Sequence, residues 1–129
     1  MSFRRFLVVV LLGLSCLALL GVLSSPASAS WAAKVKAAKV RSNVHRLQVA
    51  VQIYAVDNGD LYPRFTTNRA FRALLAPYID NRWPRNPYTH RSMRQKRSRG
   101  NFSYATYGNL TRFRLIGWGP SGRRIIVVP

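Results

Sequence analysis

NVHRLQVAVQIYAVDNGDLYP, residues 43–63, reads as an amphipathic helix, then an Asp-Asn-Gly stop, then an aromatic-proline corner. Val40, Val44, Leu47, Val51 and Tyr54 recur at spacings of four and three, which puts them on one helical face. Val49, Ile53 and Val56 fall on nearly the opposite side, so the last two turns are apolar on both flanks. A helix apolar on two sides needs two partners. One can be the chain's own later strands, and the other a second molecule.

Upstream, the helix is predicted to begin at Trp31, through a first half rich in strong helix formers (Ala32, Ala33, Ala37, Ala38). Lys34, Lys36, Lys39, Arg41, His45 and Arg46 fall mostly away from the Val40/Val44 stripe and read as a solvated face. The predicted end is Val56. Gly59 can take the left-handed conformation of a C-cap, and Pro63 cannot continue a helix.

Before Trp31, residues 1–29 have the parts of a secretory signal: Arg4 and Arg5, an apolar run from Phe6 to Leu23, and Ala27-Ser28-Ala29 as a small-residue cleavage site. The run of 18 apolar residues is also long enough to span a bilayer if it is not removed. The expectation is an exported protein, periplasmic or extracellular, or else anchored in the cytoplasmic membrane by residues 6–23. A membrane contact is expected only if the leader is retained. The remainder, residues 30–129, forms one small domain; about 100 residues suffice for a modest core.

Downstream of Pro63 the spacing of Phe71, Leu74, Leu75 and Tyr78 predicts a second helix from Arg69 to Ile79, capped by Thr67 or Asn68. Pro77 marks its last turn or an earlier end. Trp83-Pro84-Arg85-Asn86-Pro87-Tyr88 is irregular, because its prolines exclude helix and central strand. His90 to Arg99 is the densest basic run and reads as an exposed loop. The period then changes to two. Strands are predicted over Asn101–Thr106, Thr111–Trp118 and Ile125–Val128, with a turn at Gly119-Pro120-Ser121-Gly122. The fold class is α+β, a long N-terminal helix packed on a small antiparallel meander.

Lys and Arg number 21 against three acids, Asp57, Asp60 and Asp80, with no Glu; the formal charge is +18. Such a balance attracts polyanions without specifying a fold. Arg91, Arg94, Lys96, Arg97 and Arg99, with Arg112 and Arg114, form a candidate site for nucleic acid or an anionic cell-envelope polymer. Tyr104, Tyr107 and Trp118 are its candidate stacking partners. The opposing reading is that these aromatics are core and the arginines simply face water.

Catalytic chemistry finds little support. His45 and His90 are the only histidines, and no glycine-rich phosphate loop precedes a helix. The single cysteine, Cys16, lies in the leader. Asp57 and Asp60 flank a helix-capping turn rather than a metal loop. No enzyme activity, cofactor or metal is expected.

Tyr54-Ala55-Val56-Asp57-Asn58-Gly59-Asp60-Leu61-Tyr62-Pro63 resembles the helix exit of the type II secretion major pseudopilins and related type IV pilin-like proteins. Trp83 to Tyr88 resembles that family's proline-asparagine-proline-aromatic stretch. Gly100 to Tyr104, followed by Leu115 to Gly122, resembles its strand pair and turn. The resemblance covers Ala37 to Gly122 in order. It implies a helical spine across a small antiparallel sheet, and a role packing with other pilin-like subunits or secretion-apparatus proteins. Val49, Ile53 and Val56 are then the candidate assembly face. The sequence departs from the family pattern in two places. It carries no Phe-Thr-Leu-Ile-Glu after a short basic leader, and no acidic residue from Asn81 onward where the family holds calcium.

Overall fold

The computed structural model describes residues 26–80 and 82–129. Residues 1–25, including the possible membrane-spanning run 6–23, lie outside the described residues, whereas Ala27-Ser28-Ala29 falls within the described helix. The chain divides into two compact units, Met1–Lys34 and Val35–Pro129. In the first, residues 26–34 are helical, and those from Ala27 onward are exposed.

Helix α1 is Pro26–Asp57. It begins before the predicted Trp31, with a proline at its first residue, where the missing N–H costs nothing. The predicted stripe is the buried one. Val40, Val44, Leu47 and Val51 have no solvent exposure and Tyr54 is half-buried. The exit is tied down locally. Gly59 has φ +66°, the Asp60 amide donates to the Ala55 carbonyl, and Asn58 Nδ2 donates to the Tyr54 carbonyl.

Helix α2, Asn68–Leu75, is capped by Thr67, whose Oγ1 accepts from the Ala70 amide at 3.1 Å. It is shorter than the predicted Arg69–Ile79. Pro77 lies in a 3₁₀ turn, Ala76–Tyr78, that takes over at Leu75. Phe71 and Leu75 enter the core, whereas Leu74, expected on the apolar face, is exposed. Phe71 is the hub of the core: its ring lies 4.8 Å from Tyr104, 6.2 Å from Phe102 and 6.3 Å from Trp83.

Strands β1 (Phe102–Tyr107), β2 (Arg112–Trp118) and β3 (Arg124–Val128) form an antiparallel meander in the order β1-β2-β3. Each lies within one residue of its predicted bounds. Phe102 pairs with Gly117, Tyr104 with Leu115, and Leu115 with Val128, so one face is a continuous apolar row. That face lies on α1, with Gly117 against Val40 and Val44. A register shift at Gly117/Trp118 sets Trp118 opposite Arg124.

The basic run does more than loop. Met93 is buried in the core. The Phe102 amide donates to the Arg94 carbonyl and the Lys96 amide to the Phe102 carbonyl, so the segment lies alongside β1 as a parallel bridge. Gln95 extends the attachment: its Oε1 accepts from the Tyr104 amide and its Nε2 donates to the Tyr104 carbonyl. An otherwise open sheet edge is thereby closed.

Candidate assembly face and basic groove

Val49, Ile53 and Val56 follow one another at spacings of four and three on α1, away from the buried stripe. They remain 51%, 43% and 74% exposed. Isolated exposed apolar residues are ordinary; three in line on a rigid helix make a patch. Beside Val49 a cavity of about 540 Å³ opens between α1 and the segment after the 3₁₀ turn, lined by Ser42, His45, Arg46, Tyr78, Ile79 and Asp80. Its walls are stiff. Tyr54 and Tyr78 meet edge to face at 5.9 Å, and Arg46 Nη2 donates to the Arg82 carbonyl at 2.9 Å. Partial burial, and then the Asp57 carboxylate nearby, raise the Tyr78 hydroxyl above its ordinary pKa.

The seven basic residues picked from the sequence do not share one groove. Arg91, Arg94, Lys96 and Arg99 share a groove of about 320 Å³. Arg112 and Arg114 line a different one, with Tyr107, Phe113 and Pro129. Arg97 lines neither and lies over the Trp118 ring at 5.1 Å. Of the candidate stacking aromatics, Tyr104 and Trp118 are buried and cannot receive a base. The Tyr104 hydroxyl donates to the Pro63 carbonyl, and Trp118 Nε1 donates to Ser103 Oγ. Tyr107 is exposed with Arg114 over it at 5.7 Å.

Sequence reading passed over the residues that position the basic loop. Asn86 is buried between the two prolines. Its Oδ1 accepts from the Tyr88 and Thr89 amides, and its Nδ2 donates to the Arg99 carbonyl at 2.9 Å. Asn43, on the buried side of α1, donates to the Arg85 carbonyl at 2.8 Å. An Asn between prolines is a turn signal and could have flagged Asn86. Nothing local marks Asn43. The loop therefore stands on two buried amides, one from the spine and one from itself. A third, larger groove of about 690 Å³ adjoins it, and Arg69, Arg72 and Arg85 line it together with Arg91 and Arg94. None of the first three was picked from the sequence.

Among the described residues no group of three His, Cys, Asp or Glu could hold a metal ion. No helix there is long and apolar enough to cross a membrane. His45 Nδ1 lies 3.1 Å from Gln48 Oε1 on the exposed side of α1, while His90 lines the large groove.

No curated protein and no solved structure matches the chain. The family model described as type II secretion system (T2SS), protein G, matches residues 28–125, from the start of α1 into β3. With a match over most of its length, and the helix-and-meander architecture that goes with it, the chain belongs to the type II secretion protein G family, the major pseudopilins.

Proposed function

We propose that this protein is an exported, non-enzymatic subunit or accessory of a type II secretion or type IV pilus-like assembly. It meets other pilin-like subunits or secretion-apparatus proteins through Val49, Ile53 and Val56. Family membership supports a structural role in a secretion system. The exposed apolar line on α1 supports the choice of contact face. A spine helix that gives one flank to its own sheet and keeps the other apolar has that second flank available to a neighbour. Residues 1–29 supply export, either as a cleaved signal or as a membrane anchor.

Charging the face tests the reading. Val49→Asp with Ile53→Asp should leave the urea midpoint nearly unchanged, because exposed sites shift stability by only about 0.5 kcal/mol. The same pair should abolish self-association, or co-purification with secretion-apparatus proteins. Undiminished association in a folded double variant would refute the assignment. N-terminal sequencing of the exported protein separates the two forms of the leader: a start at Ser30 means a released domain, and an intact apolar run means a membrane-rooted subunit.

A further inference from the structure

The 690 Å³ groove is lined by five arginines and a histidine. Arg69 and Arg72 come to it from α2, and Arg85, His90, Arg91 and Arg94 from the irregular segment that follows. No carboxylate lines it. Arg91, Ser92 and Arg94 also line the 320 Å³ groove, which adds Lys96 and Arg99, so the two concavities are contiguous. Together they form a track of seven Arg and Lys side chains with no acid among its lining residues.

The track is preorganised. Arg72 Nη1 donates to Ser92 Oγ at 3.1 Å, Ser92 bridges Arg85 in antiparallel fashion, and the Met93 amide donates to the Pro84 carbonyl. The Gln95 amide is held by Asn68 Oδ1 at 2.6 Å, joining the start of α2 to the loop. Like charges are thus kept together by backbone and neutral side chains, at a cost in mutual repulsion that an anion would relieve.

The lining also says what kind of anion fits. Six of the seven cations are arginines, whose planar forks match phosphate oxygens. Among the residues lining the two grooves the one aromatic, Trp83, is buried with its Nε1 donating to the Met93 carbonyl, and offers unpaired bases no platform. A groove with many phosphate donors and no stacking surface suits a paired polymer read through its backbone. Duplex nucleic acid carries about one charge per 1.7 Å of axis, a density that a row of clustered arginines can engage.

We infer that the Arg69–Arg72–Arg85–Arg91–Arg94 track, continued by Lys96 and Arg99, binds duplex DNA through its phosphates without reading its sequence. This surface is separate from the Val49/Ile53/Val56 face and does not depend on the assembly reading.

Fluorescence anisotropy of a labelled 20-base-pair duplex against the full chain, repeated across salt concentrations, tests it. Binding should weaken linearly in log–log form, with a slope of about −0.9 for each phosphate contacted. The triple variant Arg69→Ser, Arg91→Ser, Arg94→Ser should flatten that slope by roughly 3. Arg64→Ser, Arg123→Ser, Arg124→Ser removes the same charge at exposed positions outside the track and should change the slope by less than about 1. Lysine at the three track positions should restore the slope, which separates lost charge from a lost fold. Equal losses in the two serine variants would mean diffuse attraction and overturn the site. Tighter binding of the corresponding single strand, or displacement of the duplex by a polyuronate at lower charge equivalents, would overturn the choice of occupant.

Discussion

Gly117 of β2 lies directly against Val44 of α1. A methyl group at Gly117 would stand 2.8 Å from Val44 Cγ2 and 2.6 Å from Ile126 Cγ2. The missing side chain is what lets the spine lie close on the sheet, since Phe102, the cross-strand partner of Gly117, already fills the adjacent space. Gly117→Ala should therefore overpack the helix–sheet contact and cost about 1–3 kcal/mol. Urea unfolding checks this: the midpoint should fall with little change in slope. Val44→Ala in the same background should recover part of the loss by making room. A neutral Gly117→Ala would mean that helix and sheet are not in this contact.

The Asn86 amide closes the irregular segment in the same way that Gly117 closes the core. Gly100 has φ +77°, and a Cβ there would collide with the Asn86 side chain, so the two positions interlock. Asn86→Ala removes one donor to the Arg99 carbonyl and the acceptor of two amides. At about 1 kcal/mol net per bond the expected cost is about 2–3 kcal/mol. Hydrogen exchange should accelerate first at Tyr88 and Thr89, ahead of the α1 amides. If α1 and the loop lose protection together, Asn86 serves global stability rather than the loop.

These two residues mark where the sequence was readable and where it was not. Val40, Val44, Leu47 and Val51 could be assigned because burial on a helix repeats with a period the sequence displays. The strands followed from alternation. Asn86 and Gln95 act through a few side-chain hydrogen bonds that leave no periodic trace, so a segment read as an exposed loop proved to be attached to β1. Trp118 alternates outward from the helix-facing row, yet it is buried because Arg97 and Ser103 cover it, a contact no local pattern encodes. Arg69, Arg72 and Arg85 escaped notice because each sits outside the dense basic run and joins it only in space.

The thin distribution of acids predicts indifference to calcium. Asp57 and Asp60 are exposed on either side of the Asn58-Gly59 turn, and among the described residues no third ligand completes a cluster. A site with calcium at about one hundred times its dissociation constant would add about 2.7 kcal/mol to stability. The melting temperature should therefore be the same, within about 1 °C, in millimolar calcium and in chelator. A rise of several degrees with calcium would reveal a ligand set that this geometry does not contain.

Alkali should unfold the protein through tyrosine. Tyr104 is buried beside Phe71, its hydroxyl donates to the Pro63 carbonyl at 2.8 Å, and burial raises its pKa well above the ordinary value near 10. Burial raises Tyr88 as well, against the pull of Arg99, which lies over its ring at 5.0 Å. In each case the native state holds the proton more tightly than the unfolded chain does. The associated stability is therefore fully present below pH of about 10 and is lost as the pH rises from there toward the native-state pKa. For one such group the loss approaches about 1.4 kcal/mol per pH unit while the unfolded chain is ionised and the native state is not. Tyr104→Phe separates the hydroxyl from the ring. At pH 7 it should cost about 1 kcal/mol for the bond to Pro63, with the ring packing kept. Between pH 10 and pH 12 its urea midpoint should decline less steeply than that of the parent protein. An identical alkaline slope in the two proteins would move the titration to another group.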